Sequence, residues 1–354
     1  MLRVVGISFD HMHIGDLLRM VDENPEAELV GIFDPNPAKM AQAIQNFAIR
    51  PDRVFTDFDI CMATKPDLAI LCAAPADHAL YTERLAAYGC HVMVEKPFAS
   101  SIACARRMIA AMPPGKRLAV NWPLAWVASH VTAKRLIDQG LIGDLTEVHF
   151  TDGNRGPLYH LADKVAVSAA EVAAQKPDSW WYKRASGGGS LLDYLGYGAT
   201  LGTWYLNGQA PIEITCTVDE VPGIEVDQHS ITVLRYARGL SRMETRWGTI
   251  SDPWTIQTIP PCGFTLVGSE GVLHSPDYAS HLTLQTRKQP QPCEVAADPL
   301  PVGRRNVIEY LLTCIASGEA ISGPLDPEVS LLGQRIVDTA AQSAREKRTL
   351  ALLP

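Results

Sequence analysis

No apolar run in this 354-residue chain approaches the ~20 residues that a helix needs to cross a bilayer, so no membrane partner is expected. Basic residues are in deficit. The 31 Lys and Arg against 39 Asp and Glu leave a net charge of -8, with no basic stripe to neutralise phosphates, so nucleic acid is excluded as a partner. The cysteines (Cys61, Cys72, Cys90, Cys104, Cys216, Cys262, Cys293, Cys314) contain no C-x-x-C pair. Several lie in apolar runs, where a thiol packs as a small hydrophobe, so neither a disulfide framework nor a zinc cage is expected. There is no internal repeat and no low-complexity segment. The first strand begins almost at Met1, without a charged stretch leading into an apolar one, so no secretory signal is expected and the cytoplasm is the expected location.

What is present is a regular alternation. Leu2–Gly6, Leu29–Phe33, Pro66–Cys72, Val92–Glu95 and Arg117–Val120 read as short buried strands, with helical patterns between them. Strands alternating with helices imply right-handed crossovers and a parallel sheet. After Val120 the pattern changes. A helix over about 124–139 and a strand over about 145–151 precede a long irregular segment, 152–187. A helix over about 190–206 follows, then strands near 212–218, 227–236, 240–247, 263–267 and 282–285, and two closing helices. The fold class is therefore α/β. A doubly wound Rossmann sheet over residues 1–121 is expected, followed over 122–354 by an α+β domain with an open, largely antiparallel sheet.

Several places carry chemistry. Lys96, in Glu95-Lys96-Pro97, lies at the carboxyl end of a strand, where ligands of open α/β sheets collect. Asp34 follows the second strand, where a dinucleotide fold places an acid for the adenosine ribose; it would repel a 2′-phosphate, so NAD is expected over NADP. The same Asp-Pro-Asn-Pro is also good turn chemistry. The glycine loop after the first strand is poor: where G-x-G-x-x-G would stand, the chain has Gly6-Ile7-Ser8-Phe9-Asp10-His11. His11 and His13 form an H-x-H pair, read here as loop histidines, and no metal is expected. The irregular segment is dense in Arg155, Tyr159, His160, Trp180, Trp181 and Tyr182. Aromatic faces suit sugar rings as well as plain packing. Gly187-Gly188-Gly189 then opens a helix carrying Asp193 and Tyr197 four residues apart on one face.

Glu95-Lys96-Pro97, Pro75 with His78, Leu141-Ile142-Gly143, the glycine triplet with Asp193, Gly268-Ser269-Glu270-Gly271 and Asp338-Thr339-Ala340 are each short. In this order the chain resembles the Gfo/Idh/MocA family of glucose-fructose oxidoreductases and inositol dehydrogenases. The resemblance implies NAD(P)-dependent hydride transfer at a sugar, inositol or related polyol carbon, and a homodimer or homotetramer built on the C-terminal sheet. It implies catalytic roles for Lys96, Asp193 and Tyr197, the last standing where most members have histidine. It further implies cofactor contacts from Gly6, Ser8, His11, Asp34, Pro75, His78, Glu95 and Lys96. Trp122, Arg155, His160, Trp180 and Asp193 are expected to bind substrate, and Lys96 is expected to lower the Tyr197 pKa. The Lys96–Pro97 peptide is expected to be cis. Two other outcomes stay open: a family member that recycles its NAD in a glycosidase-like reaction, and a non-catalytic sugar or nucleotide sensor.

Overall fold

The computed structural model describes residues 1–354. Six strands form the first sheet: β1 (Leu2–Ile7), β2 (Ala27–Phe33), β3 (Val54–Phe55), β4 (Leu68–Leu71), β5 (His91–Glu95) and β6 (Leu118–Asn121). All pair in parallel, in the order β3-β2-β1-β4-β5-β6. Between them run α1 (His13–Asp22), α2 (Ala41–Asn46), α3 (Phe58–Met62), α4 (His78–Ala87) and α5 (Ile102–Ala111). β4, β5 and β6 are buried at every position, as strands covered on both faces must be, and so read as continuous apolar runs. The strand order reverses between β1 and β4. That opens a crevice at the carboxyl ends of the strands.

The second half builds a nine-stranded mixed sheet from β7 (Leu145–Asn154), β8 (Glu213–Val218), β9 (His229–Arg235), β10 (Leu240–Trp247), β11 (Gly263–Gly268), β12 (Gly271–Pro276), β13 (His281–Thr286), β14 (Cys293–Ala296) and β15 (Leu350–Ala351). Every pairing is antiparallel except β7 with β10. The helices are α6 (Ala128–Asp138), α7 (Ala169–Gln175), α8 (Ser190–Tyr205), α9 (Val307–Ser317) and α10 (Pro327–Glu346). α8 is buried along nearly its whole length, and Gly198 and Gly202 let it lie directly on Phe150, Val148 and Met243 of the sheet. α10 packs against α8 and also reaches the first sheet, with Gln334 accepting the Ala99 N–H and Asp338 the Ile102 N–H. These bonds fix the two sheets relative to each other.

Two expectations need correction. The segment 152–187 is not wholly irregular: β7 continues to Asn154, and α7 begins at a capping box in which Ser168 and Glu171 satisfy each other's backbone N–H groups. Strands β12 and β14 were not anticipated, because polar and half-buried positions dilute their apolar alternation.

Candidate functional site

β5 ends in Glu95, and the Lys96–Pro97 peptide that follows is cis. Lys96 turns into a cavity of about 810 Å³ between the two sheets, lined also by His11, His13, Asn121, Asp152, His160, Trp181, Asp193, Tyr194, Tyr197, Trp254, Asp277 and Tyr278. Lys96 Nζ hydrogen-bonds Asp193 Oδ1, and both side chains are almost wholly buried. Trp247, at the end of β10, donates its indole N–H to Asp193 Oδ2 at 2.9 Å. A buried ion pair needs its remaining lone pairs satisfied, and Trp247 does this for the aspartate. Trp181, Tyr194 and Tyr197 surround the ammonium, their ring centroids 5.3–5.6 Å from Nζ. Glu95 lies beneath the cavity, accepting His13 Nδ1–H at 2.9 Å and the Asn121 amide at 2.7 Å.

Tyr197 lines the same cavity, and its pKa moves opposite to the expected direction. Burial, and then the negative field of Glu95, Tyr278, Asp193 and Asp152, push its phenol well above the usual tyrosine range. Lys96 sits over the ring face rather than beside the hydroxyl, so it does not lower the pKa. A phenol so shifted keeps its proton at neutral pH, which suits it to donate a hydrogen bond rather than to take up a proton.

At the switch point the loop after β1 is tightly ordered. Ser8, where a second glycine would stand, takes a left-handed conformation (φ 62°). Its hydroxyl donates to Asp10 Oδ2 at 3.0 Å, the Ala74 N–H donates to the same oxygen at 3.1 Å, and Lys39 pairs with Asp10 Oδ1. A hydroxyl, a backbone N–H and an ammonium converging on one carboxylate form a donor set suited to an anion, and Asp10 supplies a stand-in for it. Asp34 accepts the N–H groups of Phe9 at 2.8 Å and Asn36 at 2.8 Å. The residues therefore fit a dinucleotide phosphate in kind, provided that the Asp10 side chain swings out.

Two family models match this chain: "Oxidoreductase family, NAD-binding Rossmann fold" over residues 3–121 and "GFO/IDH/MocA C-terminal domain" over residues 130–274. The chain belongs to the Gfo/Idh/MocA family. An inositol 2-dehydrogenase of Gluconacetobacter diazotrophicus is 32% identical over 137 residues, which is 37% of this chain and 40% of that protein. The match thus spans about two fifths of that relative's length. Among solved structures, an aldose-aldose oxidoreductase from Caulobacter crescentus complexed with glycerol has a TM-score of 0.78 at 21% identity, covering 99% of both chains. A myo-inositol 2-dehydrogenase from Lactobacillus plantarum has a TM-score of 0.76 at 14% identity, covering 99% of both. These likenesses show the fold. No helix is long and apolar enough to cross a membrane.

The other residues singled out in the sequence of this Gfo/Idh/MocA member are dispersed. His11 and His160 line the cavity; His11 Nε2 and His160 Nδ1 are buried without partners. Burial holds both imidazoles neutral, His11 well below its usual pKa and His160 at about 3. Trp122 is instead a packing residue: its ring lies against Gly196 and Tyr197, and its N–H donates to Ser330 at 3.0 Å. Arg155 is drawn away by Asp252, with Nε–Oδ2 at 2.7 Å. Trp180 donates to Asp10 O at 2.9 Å and stacks on Trp181, which is the one facing the cavity. His78 lies under the site between Ala73 O and Phe98 O, Pro75 packs near Gly187, and Gly6 lies against Leu18 and Ile14 of α1. Sequence reading missed Asp152, Trp247, Trp254, Asp277 and Tyr278. They come from four separate segments of chain that only the sheet brings together; the one signal was an acid or aromatic at or near the end of an apolar run. A second depression of about 830 Å³, between Ser101, Asp227 and Asp338, lacks any comparable lysine–aspartate pair in its lining.

Proposed function

We propose that this protein is an NAD-dependent oxidoreductase that transfers a hydride between nicotinamide and a sugar, inositol or related polyol. The observation that carries this reading is the buried Lys96–Asp193 pair opening into the cavity beside the switch point. Ser8, Lys39 and the Ala74 N–H would hold phosphate, and Asp34 the ribose, its charge favouring NAD over NADP. NAD supplies the hydride acceptor when bound. Lys96 points its ammonium at the reacting oxygen and stabilises the negative charge that develops as the hydroxyl proton leaves. Asp193, already in contact with Lys96 Nζ, accepts the proton relayed through it, while Trp247 keeps the carboxylate in place. Tyr197 donates its phenolic hydrogen to a neighbouring oxygen. The ring walls of Trp181 and Tyr194 exclude water and present apolar faces to a sugar ring.

We assign residues 1–121 to cofactor binding and 122–354 to substrate binding and assembly. The uncovered face of the nine-stranded sheet carries exposed Ile231 and Val233, which suits a homodimer or homotetramer. Titration of NAD and NADP against tryptophan fluorescence, followed by a polyol screen at the NADH absorbance band, tests this reading. NAD binding with polyol-dependent NADH formation supports it, and absence of cofactor binding at about millimolar concentration refutes it.

A further inference from the structure

The cavity that Lys96 enters is lined also by two acids that the chemistry above does not use. Asp152 stands near the end of β7 and Asp277 just after β12, both at least nine-tenths buried. A carboxylate oxygen of each lies within 4.8 Å of the other's and of Cys262 Sγ. Their internal partners are few. Asp152 Oδ1 accepts the Gly153 N–H at 2.7 Å, Asp277 Oδ1 accepts His130 Nε2–H at 2.7 Å, and Asp277 Oδ2 has no partner at all. No lysine or arginine forms an ion pair with either acid. The basic group whose field reaches Asp277, Lys164, lies over the Tyr278 ring instead, 3.9 Å from its centroid. His130 is held neutral at about 3 by burial and so offers no positive charge. Burial in turn pushes Asp277 up to about 8 and Asp152 well above the carboxylate range.

With no cation inside the protein to pair with, the two acids hold protons instead, and a cation from outside that reaches them displaces those protons and lets the carboxylates ionise. The neighbouring surfaces suit a cation too. Tyr194, Trp254 and Tyr278 line the same cavity, and aromatic faces attract ammonium groups. Tyr278 is held at φ 60°, a conformation a bulky side chain avoids, and it stands directly after Asp277.

We propose that Asp152 and Asp277 form a subsite for an ammonium group, so that the substrate of this site is an amino sugar or an aminocyclitol. This rests on the oxidoreductase reading for the reaction but not for binding. A primary ammonium brings three donors and one positive charge: one hydrogen satisfies Asp277 Oδ2, another reaches Asp152, and the charge lies beside the aromatic wall. A hydroxyl at the same place brings one donor and no charge, so the acids stay protonated and gain at most one hydrogen bond from it. The part of the ring remote from the ammonium then faces Lys96 and Asp193 within the same cavity.

The test is calorimetric titration of the full chain at about pH 6.5, with glucosamine and scyllo-inosamine against glucose and myo-inositol. The amines are expected to bind at least about tenfold tighter than their hydroxyl counterparts. Asp277→Asn and Asp152→Asn, which keep the shape but cannot ionise, are expected to remove most of that preference. Equal or tighter binding of the neutral sugars overturns the proposal. So does the absence of amine binding at about 10 mM, tenfold above the common range for enzyme substrates. Saturable binding of Zn²⁺ or Mg²⁺ alone that blocks the amine also overturns it, by making the acids a metal site. The wild-type comparison decides the matter even if a variant fails to fold. Because binding is read without turnover, a chain that binds amines yet never reduces NAD would refute the oxidoreductase reading and leave the subsite standing.

Discussion

In the proposed cofactor site Asp10 takes up the donors assigned to a phosphate, so its removal should move affinity and stability in opposite directions. Its carboxylate holds the Ser8 hydroxyl, the Ala74 N–H and the Lys39 ammonium. The Lys39 side chain is 42% exposed, so that ion pair is worth at most about 1 kcal/mol. Each hydrogen bond to the charged acceptor stabilises the loop by about 1.5–3 kcal/mol, part of which water would replace. A phosphate must displace this set before it can bind, at a net cost of about 1–2 kcal/mol. In Asp10→Ala the donors are free and the like charge is gone. NAD should therefore bind about 5–30-fold tighter, read from quenching of Trp180 and Trp181, which pack against the same loop. The apo protein should lose a similar free energy, with Tm falling by a few degrees. Unchanged or weaker NAD binding, with Tm lowered as predicted, would show that Asp10 is not in the path of the phosphate.

Lys96→Met should lower kcat by about 10²-fold or more while the protein stays folded, because a transition-state charge loses its donor; circular dichroism and steady-state rates check both halves. Stability against pH isolates Asp277. Its folded pKa, about 8, lies above the unfolded value, so its stabilising contribution is complete below about pH 4 and is lost as pH rises through 8. The buried histidines act oppositely. With folded values depressed, as for His130 and His160 at about 3, they cost stability as pH falls below about 6.5. Between pH 6.5 and 8 Tm should therefore fall with rising pH in the wild type and stay flatter in Asp277→Asn, by differential scanning calorimetry. Gly196→Ala should destabilise by about 1–3 kcal/mol in urea melts, since its Cβ would stand 2.6 Å from the Trp122 ring.

Much of the first sheet was legible because its central strands are covered on both faces and read as uninterrupted apolar runs. Asp34 and Lys96 stand at strand ends, where topology alone assigns them a place. The second half was harder. β12 and β14 have mixed faces, and α7 was hidden in a polar stretch although Ser168 and Glu171 signal its start. Within the cavity, spacing along one helix places Asp193 and Tyr197 together, but no spacing rule joins Asp152 to Asp277 or Trp247 to Asp193. Those pairs depend on sheet register. The sense of the Tyr197 shift was also beyond the sequence: proximity to Lys96 was foreseen, whereas burial and the surrounding acids, which outweigh it, come from distant segments.

The central claim is that the Lys96–Asp193 cleft performs redox chemistry. The most direct measurement is a single-turnover reaction of enzyme, NAD and a panel of polyols, amino sugars and aminocyclitols, followed at the NADH absorbance band in wild type and Lys96→Met. The account predicts substrate-dependent NADH formation in the wild type, slowed about 10²-fold or more in the variant with NAD affinity retained. NAD binding without NADH from any such substrate, or equal rates in the two proteins, would contradict it.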